Sequence, residues 1–145
     1  PVSDDGTARA QVIMGTLWGM TAPTTTYAET IYAEIALAAG GRLPIDAGAD
    51  ERAVMLVEGD AEVGGVPLVP YELAVLAPGE RLTLSSRSGA RAMLLGGESF
   101  TTPRHVWWNF VSSSRERIEQ AKADWREGRF AAVPGETEFI PLPDK

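Results

Sequence analysis

His105 is the only histidine in the chain, so the search for catalytic chemistry starts from it. A metal site needs several imidazole, thiolate or carboxylate groups that converge on one ion, but no carboxylate stands beside His105 at ligand spacing. Three serines follow, Ser112, Ser113 and Ser114, yet the sequence lacks the Gly-x-Ser-x-Gly pattern of a nucleophile elbow. We therefore predict a structural or surface role for His105 and no catalytic residue in this chain.

Paired glycines and loop acids are the other residues that suggest ligand binding. The glycine pairs at 40–41, 64–65 and 96–97 lie between predicted strands, whereas a phosphate-binding loop joins a strand to the N-terminus of a helix. We predict that these glycines turn the chain. The loop acids lack EF-hand spacing and are expected to be solvated: Asp4, Asp5, Asp46, Asp50 and Glu51.

Length and composition indicate an ordinary globular protein. The chain has 145 residues, of which 44% are hydrophobic, which suits one domain with its own core. Its net charge of −7 disfavours direct binding to nucleic acid or to anionic membranes. No apolar run reaches the ~18 residues of a membrane span. Cysteine is absent, which fits a reducing compartment, so we expect a cytoplasmic location and no membrane partner.

Strands and turns dominate the chain from Val12 to Leu95. The segment TIYAEIAL at 30–37 alternates, with its apolar residues Ile31, Ala33, Ile35 and Leu37 on one face. AVMLV at 53–57 is an uninterrupted apolar run, as in a strand buried on both sides. Short strands with turns about every ten residues predict an all-β sandwich, jelly roll or barrel.

Turn residues predict how some of these strands pair. Gly64-Gly65 separates two short apolar stretches and predicts a hairpin. ELAVLAPG is predicted to be a short strand that stops at Pro78-Gly79. RLTLSS and RAMLLGG flank Ser88-Gly89, so we predict that they form a second hairpin.

After Gly97 the pattern becomes helical. Ser113 followed by Glu116 is typical of a capping box, and Gly128 stands where a left-handed residue ends a helix. The inward face combines Ile118, Ala121 and Trp125. These signals predict a helix from about 114 to 127, followed by an extended tail rich in proline and glycine.

Two stretches resemble the sequence blocks of a cupin: LAAGGRLPIDAGADERAVMLVEGDAEVGG and VPYELAVLAPGERLTL. The similarity to bacterial pirin-like proteins is closer still, because their C-terminal part resembles GGESFTTPRHVWWNFVSSSRERIEQAKADWREGRF and PGETEFIPLP. The resemblance implies a cupin jelly-roll barrel over 1–98 and a C-terminal arm with one helix over 99–145. Pirins are bicupins, so we expect the chain to correspond to their C-terminal half and to lack the N-terminal cupin.

The resemblance also places the cupin metal positions at Asp46, Gly48, Arg52 and Leu82. Glycine has no side chain, leucine has no lone pair, and arginine carries a fixed positive charge that repels a cation. Asp46 alone does not hold Fe²⁺, Ni²⁺ or Mn²⁺. We therefore expect no cofactor in this chain and iron, or another divalent transition metal, only in the N-terminal cupin of the parent protein.

Asp46 and Arg52 are also the candidate residues of a cavity in the barrel. A salt bridge between Arg52 and a nearby loop acid is the favoured prediction for its side chain. The alternative is that its fork of donors binds an organic anion, which would make the domain a small-molecule binding module.

Aromatic residues crowd the start of the C-terminal arm. Neighbours in a strand point to opposite faces, so we expect that Trp107 and Trp108 do not enter the same core. Together with Phe110 and Trp125 they are predicted to form a belt that fastens the arm to the barrel. The alternative is that part of this belt contacts the N-terminal cupin or a second copy of the chain.

These observations favour a non-catalytic partner domain. Such a domain supports, covers or regulates the metal-bearing cupin of a pirin-like protein. The main alternative, implied by the resemblance, is that the chain is part of a quercetin 2,3-dioxygenase whose catalytic metal lies in the N-terminal domain.

Overall fold

The computed structural model describes residues 2–143 and divides the chain into two compact units, Pro1–Ser99 and Phe100–Lys145. Strands are the main regular structure of the described residues, and a single helix lies in the second unit. That helix, the only one among residues 2–143, is too short and too polar to cross a membrane.

The first unit is built entirely from strands. They are β1 (Val2–Asp4), β2 (Ala8–Met14), β3 (Thr16–Leu17), β4 (Met20–Thr21), β5 (Thr30–Leu37), β6 (Arg42–Pro44), β7 (Glu51–Gly59), β8 (Glu62–Val63), β9 (Val66–Pro67), β10 (Leu73–Leu76), β11 (Thr83–Ser85) and β12 (Ala90–Gly97). The larger sheet has the order β1-β2-β5-β12-β7-β10, and the smaller has the order β6-β11-β8-β9. β3 and β4 form a separate hairpin.

The core of this unit combines side chains from both sheets. Ile35 and Leu94 from the larger sheet and Leu84 from the smaller sheet are fully buried in one cluster. The predicted alternation in β5 is confirmed, because its residues are alternately half-buried and buried along its whole length. Two antiparallel sheets that share one apolar core form the predicted all-β jelly roll.

The two hairpin predictions had different outcomes. The hairpin at Gly64-Gly65 is confirmed, since β8 pairs with β9 across those residues. The hairpin at Ser88-Gly89 is wrong. β11 pairs with β6 and β8, whereas β12 pairs with β5 and β7. Turn residues show where the chain bends but not which strands will pair, and this turn carries the chain from one sheet to the other.

The second unit contains a hairpin of β13 (His105–Trp107) and β14 (Phe110–Ser112), followed by helix α1 (Arg115–Arg126). The N-cap is Ser114, whose hydroxyl accepts a hydrogen bond from the backbone N–H of Arg117 at 3.3 Å. The prediction of Ser113 as the cap was therefore wrong by one residue. The Ser114 hydroxyl also donates to Glu116 and lowers the pKa of that carboxyl.

The C-terminus of α1 agrees with the predicted glycine signal. Gly128 has a φ of 65°, and its N–H donates to the carbonyl of Trp125 at 3.2 Å. The N–H of Arg129 donates to the carbonyl of Asp124 at 2.8 Å. This pair of bonds is a Schellman motif, which satisfies carbonyls that the end of the helix leaves free.

Gly59 and Gly65 offer a matched test of the close approach between β7 and the turn before β12. Both have a φ of 83°, but a Cβ at Gly59 would collide with the carbonyl oxygen of Gly89, whereas a Cβ at Gly65 meets open space. We expect Gly65→Ala to cost about 1–2 kcal/mol from backbone conformation alone. Gly59→Ala should lower the free energy of unfolding by about 3 kcal/mol in urea denaturation. Equal losses in the two variants would contradict the steric argument.

Candidate functional site

Arg52 is the most deeply buried charged residue of the first unit. It is the second residue of β7, between Leu76 of β10 and Gly96 of β12 in the sheet, and only 1% of it is exposed. A Cβ at Gly96 would collide with the backbone of Glu51. Glycine therefore lets β12 approach the start of β7 closely.

The guanidinium of Arg52 donates hydrogen bonds to three backbone carbonyls. Its Nη1 lies 3.2 Å from the carbonyl oxygen of Asp46, and its Nη2 lies 2.8 Å from that of Ala77 and 3.0 Å from that of Glu80. Its Nε is buried and has no partner in the described part of the chain. The side chain therefore ties the segment before β7 to the loop after β10.

This arrangement corrects the predicted salt bridge of Arg52 with a loop acid. Among residues 2–143, no carboxylate pairs with its guanidinium. Carbonyl oxygens replace the expected carboxylate because a buried arginine needs acceptors in several directions. The backbone before β7 and the loop after β10 provide them.

Asp46 is engaged with backbone N–H groups. Its Oδ2 accepts a hydrogen bond from the N–H of Trp18 at 3.1 Å, and its Oδ1 accepts one from the N–H of Gly48 at 3.0 Å. Trp18 lies in the turn of the β3–β4 hairpin with a φ of 49°, and its indole N–H donates to the carbonyl of Pro44 at 2.8 Å. Asp46 thus joins this hairpin to Arg52, because its carboxylate binds Trp18 and its backbone carbonyl accepts a hydrogen bond from Arg52.

The other two positions of the aligned metal site add no ligand atom. Gly48 is exposed, and Leu82 packs against the core cluster. Among residues 2–143, no three His, Cys, Asp or Glu side chains converge in a way that holds a metal ion. A donor set of one hydrogen-bonded carboxylate and one guanidinium does not fit a divalent transition metal.

The candidate cavity of Asp46 and Arg52 does not form as predicted. A surface hollow of about 470 Å³ is lined by Asp46, Gly48, Arg81 and Leu82, but Arg52 does not line it. Arg52 is buried, and both of its Nη atoms donate hydrogen bonds to carbonyl oxygens. It is therefore not available to an organic anion in that hollow, and the charged residues that line the hollow are Asp46 and Arg81.

His105 lies in β13 opposite Ser112 of β14 and is half-buried. The hydroxyl of Ser112 accepts a hydrogen bond from the N–H of Ser114, just before α1 begins. His105 lines a shallow hollow of about 210 Å³ together with Arg115, Ile118 and Lys122. His105 therefore lies at the junction of hairpin and helix, and its structural role stays a prediction.

Trp107, Trp108, Phe110 and Trp125 meet in one aromatic cluster of the second unit. Ring centroids lie 6.4 Å apart for Trp107 and Trp108 and 5.1 Å apart for Trp108 and Trp125. The expectation that the neighbouring tryptophans avoid one core was wrong. Trp108 lies in the hairpin turn with a φ of 49°, so the alternation of a strand does not apply to it. The predicted belt to the barrel or to a partner stays a prediction.

Sequence reasoning missed two members of the aromatic cluster. Phe130 stacks on Phe110 at 5.8 Å, and Phe139 stacks on Trp125 at 5.9 Å. Both follow the helix in a stretch without periodic signal. The clue available in the sequence was the aromatic residue in each otherwise proline- and glycine-rich segment.

Comparison with known proteins identifies the family of this fold. Residues 32–131 match the family described as Pirin C-terminal cupin domain. The chain belongs to this family. The predicted resemblance to pirins and the predicted cupin jelly-roll fold are both confirmed.

Relatives of this pirin C-terminal cupin are about twice its length. A Caulobacter vibrioides protein named Pirin-like protein is 40% identical over 145 residues, which are 99% of this chain and 50% of the relative. A crystal structure of quercetin 2,3-dioxygenase from Acinetobacter baumannii superposes with a TM-score of 0.87 at 25% identity and covers 100% of this chain and 51% of its own. A second structure so named, from the same organism, has a TM-score of 0.82 at 19% identity over 91% of this chain and 48% of its own.

Arg52→Met tests how much this pirin domain depends on the buried guanidinium. The substitution keeps the bulk of the side chain but leaves buried carbonyl oxygens without their donors, so we expect a loss of about 3 kcal/mol in the free energy of unfolding. Arg52→Lys should lose less, because an ammonium retains part of the hydrogen bonding.

Arg91→Met is the matched control for this measurement. Arg91 pairs with Glu34 at 2.6 Å on the surface, and such a pair contributes only about 0–1 kcal/mol. A loss for Arg52→Met no larger than that for Arg91→Met would contradict the central role of Arg52.

Proposed function

We propose that this chain is a non-catalytic cupin domain that supports or regulates a metal-binding cupin within a pirin-like protein. The observation that carries the proposal is the buried guanidinium of Arg52, which occupies one of the positions aligned with cupin metal ligands and donates to three backbone carbonyls. A fixed positive charge at that place opposes the binding of a divalent cation.

The chemistry of Asp46 supports the same proposal. Each of its carboxylate oxygens accepts a hydrogen bond from a backbone N–H, one from Trp18 and one from Gly48. Metal coordination by Asp46 would compete with both bonds and with the position of the β3–β4 hairpin. The local structure is therefore maintained by hydrogen bonds in the region where a metal-bearing cupin uses coordination bonds.

The proposed partner of the domain is a second cupin. The chain spans about half the length of the curated relative and of the solved structures that it matches. The remaining length suffices for another domain of similar size. We propose that iron, or another divalent transition metal, is held there, and that this cupin or a second copy of the chain is the partner.

A second candidate function is that the chain forms one half of a quercetin 2,3-dioxygenase. The name of the Acinetobacter baumannii structure, which matches the whole of this chain, favours this candidate. In that case the chain contributes structure to the two-domain enzyme, and the residues that hold its metal lie outside the chain.

Metal analysis of the purified chain tests the proposal directly. After dialysis against Fe²⁺, Ni²⁺ or Mn²⁺ and then against buffer, we expect no stoichiometric ion in elemental analysis, because Asp46 is the single ligand among the aligned positions. Asp46→Ala is the control and should leave any residual metal content unchanged. One retained ion per chain that disappears in Asp46→Ala would refute the metal-free assignment.

Oxygen consumption with quercetin separates the two candidates. The 145-residue chain should consume no oxygen above a buffer blank, whatever metal is added. For a full-length protein that carries this chain, metal-dependent oxygen uptake would support the dioxygenase candidate. Uptake by the chain alone would overturn the non-catalytic proposal.

A further inference from the structure

The larger sheet carries apolar side chains on its outer face as well as on its core face. Val54 and Leu56 of β7 are buried in the core cluster, so the residues that alternate with them point to the outer face. Two of these outer residues, Met55 and Val57, are apolar and only half-buried. A strand with one solvated face normally alternates apolar and polar residues, whereas an apolar run such as that of 53–57 is typical of a strand covered on both faces.

The pairing register joins these side chains to those of the neighbouring strands. Side chains directly opposite each other in β10, β7, β12 and β5 lie on the same face, about 4.5–5.5 Å apart. Two adjacent rows of such partners are apolar on the outer face. The surface that they form, here called the outer patch, comprises Val75, Ala53, Leu95 and Tyr32 in the first row and Leu73, Met55 and Met93 in the second.

The outer patch is most exposed along β10 and is bounded by charge toward β5. Val75 and Leu73 keep 77% and 52% of their surface exposed. Beyond Met93 the second row continues with Glu34, whose carboxylate pairs with Arg91 at 2.6 Å. An apolar centre beside a polar rim is the usual anatomy of a protein interface.

The size of the outer patch indicates what kind of partner covers it. Four strands about 4.8 Å apart and rows about 7 Å apart give it roughly 300 Å² when the width of the side chains is included. Two such faces bury roughly 600 Å² in total, which is enough for an interface between domains of one chain but below the ~1,200 Å² of a stable complex between separate chains. A joined domain needs less area because its tether keeps the local concentration high.

Charge and length also favour a joined domain over a second copy of the chain. Each copy carries a net charge of −7, so two free copies repel each other. The curated relative and the solved structure that match this chain are about twice as long. Their additional length suffices for one more domain of similar size.

We infer that the outer patch is the docking surface for a second cupin domain joined to this chain, which packs an apolar sheet face of its own on Leu73, Val75 and the two methionines. Methionine side chains adapt to the shape of an apposed surface. The identity of the partner as a cupin rests on the proposed function, whereas the location of the surface rests on the outer patch itself.

Cysteine labelling measures whether the outer patch is covered, because the chain has no cysteine of its own. Val75→Cys and Leu73→Cys place reporters in the patch. Arg87→Cys is the matched control, since the Arg87 side chain is 98% exposed in the turn after β11. Each variant is made in the 145-residue chain and in a full-length protein that carries this chain. Peptide mass spectrometry follows the reaction of each site with iodoacetamide, and circular dichroism checks that the variants are folded.

Both patch reporters should react rapidly in the 145-residue chain and at least about tenfold more slowly in the full-length protein, because a covered site reacts only when it opens. Arg87→Cys should react at the same rate in both proteins. Equal rates for the patch reporters would overturn the docking surface. Slower reaction of Arg87→Cys by the same factor would also overturn it, since the protection would then not be specific to the patch.

Two further outcomes separate this inference from its alternatives. Patch reporters that are protected in the concentrated 145-residue chain and react on dilution would assign the surface to a second copy and overturn the joined domain as its occupant. An ion retained by the chain would refute the proposed function, but it would leave the protection of Val75→Cys in the full-length protein as support for the docking surface.

Discussion

The buried guanidinium of Arg52 is the interaction on which the first unit depends most directly. It connects the segment before β7 with the loop after β10 through three carbonyl oxygens, and it does so from the strand next to one edge of the six-stranded sheet. A metal ion organises loops in a comparable way, since it also binds several oxygen or nitrogen atoms at once. Here the guanidinium of Arg52, which is part of the chain itself, joins these two segments.

The second unit is organised by a different principle. Its hairpin, helix and tail do not form a core of buried aliphatic side chains, since Ile118 is its one buried residue among those described. Aromatic stacking replaces a conventional core, with Trp125 in contact with Trp108, Phe110, Phe130 and Phe139. Large rings in edge and stacked arrangements compensate for a small number of residues.

The two units are therefore stabilised by different kinds of contact. The first unit is a cupin jelly roll with a buried arginine, and the second unit holds its C-terminal segment against Trp125. The chain belongs to the pirin C-terminal cupin family and spans about half the length of the curated relative that it matches.

Much of the local structure could be predicted from patterns of a few residues. The alternation in β5, the turn at Gly64-Gly65 and the end of α1 at Gly128 all depend on neighbours within one element. The pairing of β11 and β12 could not be predicted, because both strands flank a turn and yet join different sheets. The exchange between sheets depends on strands that are distant in sequence.

The sequence by itself determined the all-β fold class and the positions of the turns, because these follow from residue type and spacing. Only the tertiary structure decided what Arg52 and Trp108 do. The carbonyls of Ala77 and Glu80 lie 25 and 28 residues beyond Arg52, and the left-handed turn at Trp108 places its ring with that of Trp125. Such contacts depend on where separate segments meet, which no local pattern encodes.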